Sequence, residues 1–338
     1  MTFYLYVTLS EEDKISTYSM DAVSGELELL RRLDVQGRPA PLAVDPDKRL
    51  MYVGRRDVNQ IDSYGIDVGS GGLTLLGTAQ LESDPCYMST DRTGRYLLSA
   101  YYGAGRAAVH AIATDGTVQT PPVEWRATAT GAHCLQTDPT NSFAFLPHIA
   151  GGNGPNEIFQ FRFDVESGRL SENSPFKVPQ EPETGPRHYC FHPSLDVVYF
   201  SNEQGCSVTA YDFDKERGTL TPIHTVPTLP DDYSGRNSCA QIHITPSGRF
   251  LYAPNRGHNS IACFAVDPST GRLQRTAIVE AEPVPRAFGI DPTGTFLYSA
   301  GLESGRLAAY RIGENGVLEF MRTYDVGRGP MWVIVLEL

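Results

Sequence analysis

The chain alternates short apolar, aromatic-rich runs with turn residues, and one unit recurs along it. The unit is an apolar run, a turn of Asp-Pro-x-Gly-Arg type, an aromatic run often ending in Tyr, a polar loop, a third run, and a Gly-x-Leu signal opening a fourth. The turns fall at 45–48, 91–94, 138–141, 192–195, 245–248 and 291–294. The aromatic runs follow at 50–53, 96–99, 143–146, 197–200, 250–253 and 296–299, with a counterpart at 4–7. The third runs are 15–20, 61–66, 108–112, 158–163, 208–213, 261–266 and 307–312. The Gly-x-Leu-type signals stand at 25–27, 72–73, 116–118, 168–170, 218–220, 271–273 and 316–318. The equivalent positions Tyr6, Tyr52, Leu98, Phe145, Tyr199, Tyr252 and Tyr298 lie 46 to 54 residues apart. Four short strands per unit at that period are the signature of propeller blades, and seven units predict an all-β, seven-bladed β-propeller.

The chain begins on a second strand and finishes on 329–335, which matches a first strand with no second strand after it. The C-terminal strand is therefore expected to complete the N-terminal blade and close the ring, removing open sheet edges. Residues 1–338 read as one domain. Two units carry longer loops, 151–157 after the second strand of blade four and 229–237 before the first strand of blade six. Both are expected on one face of the disc, where extra loops build binding sites.

Composition narrows the function. The net charge of −12 argues against a general binder of nucleic acid or anionic membranes, which needs a basic surface. A small anionic substrate remains compatible, because local arginines override the global field. The N-terminus has no basic segment followed by a long apolar stretch, so no signal peptide is expected, and no apolar run is long enough to cross a bilayer. The six cysteines show no CxxC spacing and read as buried thiols in a reducing, cytoplasmic setting. Nothing in the sequence bears on oligomeric state.

The candidate chemistry centres on 185–203, GPRHYCFHPSLDVVYFSNE. Read as a β-hairpin turning at 193–196, it sets Arg187 and His188 beside Asn202 and Glu203. In every blade the start of the inner strand and the end of the second strand share one face. Inner-strand starts are Pro41, Pro85, His133, Arg187–His188, Ala240–Gln241, Arg286 and Met331–Trp332. Second-strand ends are Thr8, Arg55–Arg56, Tyr101–Tyr102, His148, Asn202–Glu203, Asn255–His258 and Gly301. Blades four to six hold most of the polar chemistry. Each residue also has a plainer reading: Arg187–Glu203 as a structural ion pair, and Asn202 or Asn255 as braces bonded to nearby backbone. His110, His192 and His224 read as structural or surface.

The segment GPRHYCFHP…YFSNE, followed by NSCAQIHITPSGRFLYAPNRGHNSIACFAVDPSTGRL, resembles the seven-bladed β-propeller lactonases, which include cycloisomerase-type 6-phosphogluconolactonases and 3-carboxy-cis,cis-muconate lactonizing enzymes. The resemblance runs through the repeats and is sharpest between Gly185 and Leu273. It implies an enzyme without cofactor or metal that opens or closes a lactone ring. The implied catalytic set is His133, Arg187, Glu203 and Arg256, with His148, His188, Asn202, Gln241, Asn255 and Arg286 around the substrate. The chain departs from the phosphogluconolactonase-like pattern at Ala240-Gln241-Ile242, where A-E-I is usual, and in the loop after His148, where an aspartate-rich segment is usual.

The expected reaction is hydrolysis of a sugar-type lactone, or the reverse cyclisation of an unsaturated diacid. Arg187 and Arg256 suit an oxyanion or a substrate anion; Glu203 and His133 share the acid and base roles in an order the sequence leaves open. Two other readings compete. A protein-interaction propeller has no need of clustered Arg, His and Glu, and the Gly-His and Trp-Asp pairs of WD repeats are missing. A metal-dependent gluconolactonase would draw oxygen ligands from Glu203, Asn202 and Asn255.

Overall fold

The computed structural model describes residues 2–338. These form seven antiparallel sheets arranged as seven blades. Blade one pairs the C-terminal strand Pro330–Glu337 with Phe3–Leu9, then Lys14–Met20 and Leu27–Asp34. The closing register runs from Phe3 opposite Glu337 to Thr8 opposite Trp332, and Thr2 and Leu338 exchange backbone hydrogen bonds. Ring closure by the C-terminal strand is thus as the repeat predicted.

The repeat is legible because each of its positions has a physical task. Asp45, Asp91, Asp138 and Asp291 each use one carboxylate oxygen to accept from the backbone N–H groups that open the second strand. In blade five His192 takes the same place, its Nδ1 accepting from Ser194 and Leu195. The tyrosines at the equivalent positions reach across blade boundaries. Tyr6 donates to the carbonyl of Gly71, Tyr52 to Gly116, Tyr199 to Gly271, Tyr252 to Gly316 and Tyr298 to Gly25. Each acceptor lies in the turn before the outer strand of the next blade, so the Tyr and Gly signals are two halves of one staple. Leu98 and Phe145 lack the hydroxyl and the staple with it.

The core follows the same logic. Apolar side chains gather into seven clusters, each spanning two neighbouring blades, such as Phe143 and Phe145 with Val198 and Phe200. No blade buries its faces alone, and the ring is stabilised as a whole. In blade three the structure departs from the reading: residues 116–118 make only a bridge, Ile112 with Val118, and the outer strand starts at Glu124. Pro121 and Pro122 intervene, and proline cannot donate to a ladder.

Candidate active site

In five blades a proline at or just before the start of the inner strand is followed by a residue that lines one axial cavity: Pro39–Ala40, Pro85–Cys86, Pro186–Arg187, Pro285–Arg286 and Pro330–Met331. In blades five and seven this residue is a bulge. Pro186 opposes Asn202 and His188 opposes Ser201, leaving Arg187 unpaired; Pro285 opposes Gly301 and Ala287 opposes Ala300, leaving Arg286 unpaired. A bulge re-aims one side chain, and here it turns two guanidinium groups into a single cavity. The residues before these prolines, Gly185 and Val284, have φ of 66° and 55°. Gly185 is required: an added Cβ would collide with the Gln204 carboxamide, which holds the amide of Ala150 at the 151–157 loop.

The cavity at one end of the ring is lined by Arg56, Cys86, His133, Arg187, His188, Gln241, Arg286, Met331 and Trp332, with Ala40 and Pro41. Glu203 stands next to this lining, paired with Arg187. Its Oε2 accepts from Arg187 Nε at 2.6 Å and lies 3.1 Å from Arg256 Nη2. Arg187 is only 2% exposed, and its Nη1 has no partner. Burial pushes the Glu203 carboxyl up, but Arg187 and Arg256, with Arg286 behind them, outweigh burial and hold it below the ordinary range. Glu203 is therefore a carboxylate. Arg286 has no ion-pair partner among the described residues; burial and the repulsion of Arg187 and Arg256 lower it to about 9. Arg56 pairs with Asp84 at 2.7 Å while its Nε stays free. Four guanidinium groups thus face two carboxylates.

His133 and His188 form a second pair, with His188 Nε2 3.3 Å from His133 Nδ1. Their rings meet edge to face, and Tyr87 and Trp332 pack on His188 while Tyr102 packs on His133. Burial, reinforced by Arg187, lowers both imidazoles far below the usual histidine value. Both are neutral at physiological pH, so His133 acts as a hydrogen-bonding group and not as a cation. Gln241 is fixed by accepting from the Phe288 amide at 3.1 Å. His188, Gln241 and Trp332 form the floor, beyond which an axial cavity of about 350 Å³ continues between the inner strands.

The structure brings His133, Arg187, Glu203, Arg256, His188, Gln241 and Arg286 together, and leaves His148, Asn202 and Asn255 outside. His148 is buried against Phe159, ring centroids 4.2 Å apart, with neither ring nitrogen bonded. The Asn202 amide donates to Ser207 and Thr209 within its own blade. Asn255 donates to Thr228 and Ser260 and accepts from Thr228 and Asn237. The reason is the pleat: neighbouring residues of a strand point to opposite faces, so Asn202 points away where Glu203 points in. Among the described residues no three His, Cys, Asp or Glu side chains converge as a metal-ligand set. Arg56, Tyr102 and Trp332 belong to the site although the sequence reading gave them no role; their signal was their place at strand ends or starts. His110, His192 and His224 all bond backbone carbonyls, as structural histidines do.

Fold and cavity define a closed seven-bladed propeller with clustered guanidinium groups, a carboxylate and two imidazoles at its axial pocket. The chain belongs to the family described as lactonase, 7-bladed beta-propeller, whose model matches residues 4–335. It is 36% identical over 335 residues to a 6-phosphogluconolactonase of Pectobacterium carotovorum, covering 99% of this chain and 98% of that one. It is 34% identical over 332 residues to a 6-phosphogluconolactonase of Yersinia pestis, covering 98% and 97%. Among solved structures it is similar to the periplasmic gluconolactonase PpgL of Pseudomonas aeruginosa, with a TM-score of 0.90, 26% identity and 99% coverage of both chains. No helix among the described residues is long and apolar enough to cross a membrane.

Proposed function

We propose that the protein hydrolyses a phosphorylated sugar-acid lactone, with Arg286, Arg187 and Arg56 seating the phosphate and Glu203 activating water. The observation that carries this reading is the unpartnered Arg286 beside Arg187 in a cavity bordered by an ionised Glu203. The surplus of two positive charges matches a phosphate monoester, which carries about −1.5 to −2 at neutral pH. The relatives named 6-phosphogluconolactonase support the same substrate class. Six free thiols support a cytoplasmic setting.

The chemistry follows from the charge states. Glu203 takes a proton from water as the water oxygen bonds to the lactone carbonyl carbon. The carbonyl oxygen becomes an oxyanion, stabilised by Arg256 and by a ring N–H of neutral His133. When His188 donates to His133 Nδ1, the His133 Nε2 carries that hydrogen. Collapse breaks the ring C–O bond, and the alkoxide recovers the proton from Glu203. Glu203 is base first and acid second; His133 supplies a dipole. The decisive variant is Glu203→Gln, which keeps the shape and loses the base. It should lower the rate of ring opening by about 10²–10⁴-fold, the range for general acid–base help, with an unchanged circular dichroism spectrum. Undiminished turnover would remove Glu203 from the reaction.

A further inference from the structure

A left-handed residue precedes the third strand in every blade. Asp13, Asn59, Gly105, Asn156, Asn259 and Gly305 occupy it in six blades, with φ between 52° and 69°. Glycine, asparagine and aspartate are the residues that tolerate this conformation. Blade five alone places a cysteine there, Cys206 at φ 46°. Backbone preference does not account for that choice, so its sulfur needs another explanation.

The sulfur has company. Cys206 is half-buried and Cys239 buried, and one polar cluster holds both sulfurs: Cys239 Sγ lies 3.7 Å from Asn255 Oδ1, and the Asn237 amide donates to that same oxygen at 3.0 Å. The amide of Asn237 donates to Cys206 Sγ at 3.3 Å, and Thr228 Oγ1 lies 3.3 Å from Cys239 Sγ. Both cysteines are joined to the catalytic machinery through the backbone. The Cys239 N–H donates to the Glu203 carbonyl at 3.0 Å, and the Cys239 carbonyl accepts from Arg256 Nη2 at 2.5 Å. Cys206 belongs to the turn that follows Glu203.

The structure assigns Cys206 and Cys239 as an oxidisable pair, which a hydroperoxide converts to a disulfide that disables the lactonase site. The Cys239 thiol and the Asn237 amide lower the Cys206 thiol, whereas burial raises Cys86 to about 11 and Cys134 and Cys263 to about 12. Thiolate character decides which cysteine reacts. The Cys206 thiolate attacks a peroxide oxygen, forming an S–O bond as the O–O bond breaks and hydroxide, or alkoxide from an organic peroxide, leaves. The Cys239 sulfur then attacks Cys206, forming S–S as the S–O bond breaks, and water departs with the Cys239 proton. Two electrons pass from the thiols to the peroxide. Drawing the sulfurs to about 2.05 Å shifts the Cys239 peptide, which holds the Glu203 carbonyl on one side and Arg256 on the other.

The activity half of this proposal rests on the lactonase reading; the bridge does not, and the two are measured separately. The intact protein is treated with hydrogen peroxide at neutral pH, mapped by non-reducing peptide mass spectrometry, and assayed for ring opening before and after dithiothreitol. The expected result is a Cys206–Cys239 bridge with at least a tenfold loss of rate, reversed by the reductant. Cys206→Asn takes the residue used in blades two, four and six; it should keep its activity through peroxide and form no bridge. Cys239→Ser should stop at a sulfenic acid on Cys206 that a cyclic 1,3-dione labels. Peroxide treatment that leaves both thiols free, or a bridge formed without loss of rate, overturns the proposal.

Discussion

Arg187 and Glu203 meet at 2.6 Å because a one-residue bulge turns Arg187 out of its ladder at the point where the neighbouring strand ends. The pair is no ordinary surface bridge. Glu203 also pairs with Arg256 at 3.1 Å, and Arg187 keeps an unbonded Nη1 with almost no exposure. Truncating one partner of a buried pair costs about 3–5 kcal/mol, because the other charge is left uncompensated. Glu203→Ala is therefore expected to lower the melting temperature clearly more than Glu203→Gln, whose amide oxygen still accepts from Arg187. Equal melting temperatures for the two variants would show that the pair contributes nothing to the fold.

On the proposed reading, Arg286 sets the preference for a phosphorylated lactone. A charge-assisted hydrogen bond is worth about 1.5–3 kcal/mol, so Arg286→Met should reduce kcat/KM about ten- to a hundredfold for a phosphorylated lactone. The unphosphorylated lactone should lose far less. A uniform loss on both substrates would place Arg286 in the reaction and not under the phosphate. Raising the salt concentration should weaken only the phosphorylated substrate.

Acid should destabilise the protein earlier than its carboxylates alone require. Burial lowers His133, His188, His148 and His243 in the folded chain, while free imidazoles protonate below about 6.5. Below that value the unfolded state binds more protons, and stability falls with pH. Glu203 acts in the same direction lower down: its folded value is depressed, so its contribution is present above about 4.3 and is lost as pH falls through the folded value. Melting temperature should be level above neutrality and fall steadily once the pH drops below about 6.5. A level profile down to pH about 5 would mean these histidines are protonated in the fold.

His148 separates a brace from a substrate ligand. Its ring is packed on Phe159 with both nitrogens unsatisfied, an arrangement that costs about 1–3 kcal/mol per unpaired group. His148→Phe should raise the melting temperature and leave kcat/KM within about twofold of the parent, since nothing is lost from the cavity. A large fall in kcat/KM in a stable variant would return His148 to the substrate.

The blades and their closure were legible in the sequence because a local chemical task is spelled out again in each unit: an aspartate for the turn, a tyrosine and a glycine for the staple. The pairing of Arg187 with Glu203 was legible from hairpin geometry. Which side of the pleat a strand end presents was not, and Asn202, Asn255 and His148 were misplaced on that account. Arg56 stood among the second-strand ends, but that it lines the same cavity as Arg187 and Arg286 is seen only when the seven blades are closed into a ring. The position of Cys206 became informative only once the backbone showed which conformation it shares with six other blades.

The most direct test measures ring opening by proton release, corrected for spontaneous hydrolysis, on 6-phosphogluconolactone and gluconolactone side by side. The account predicts a clear preference for the phosphorylated lactone that Glu203→Gln abolishes and Arg286→Met erases. A protein that opens neither lactone above the spontaneous rate, or that prefers the neutral one, would contradict it.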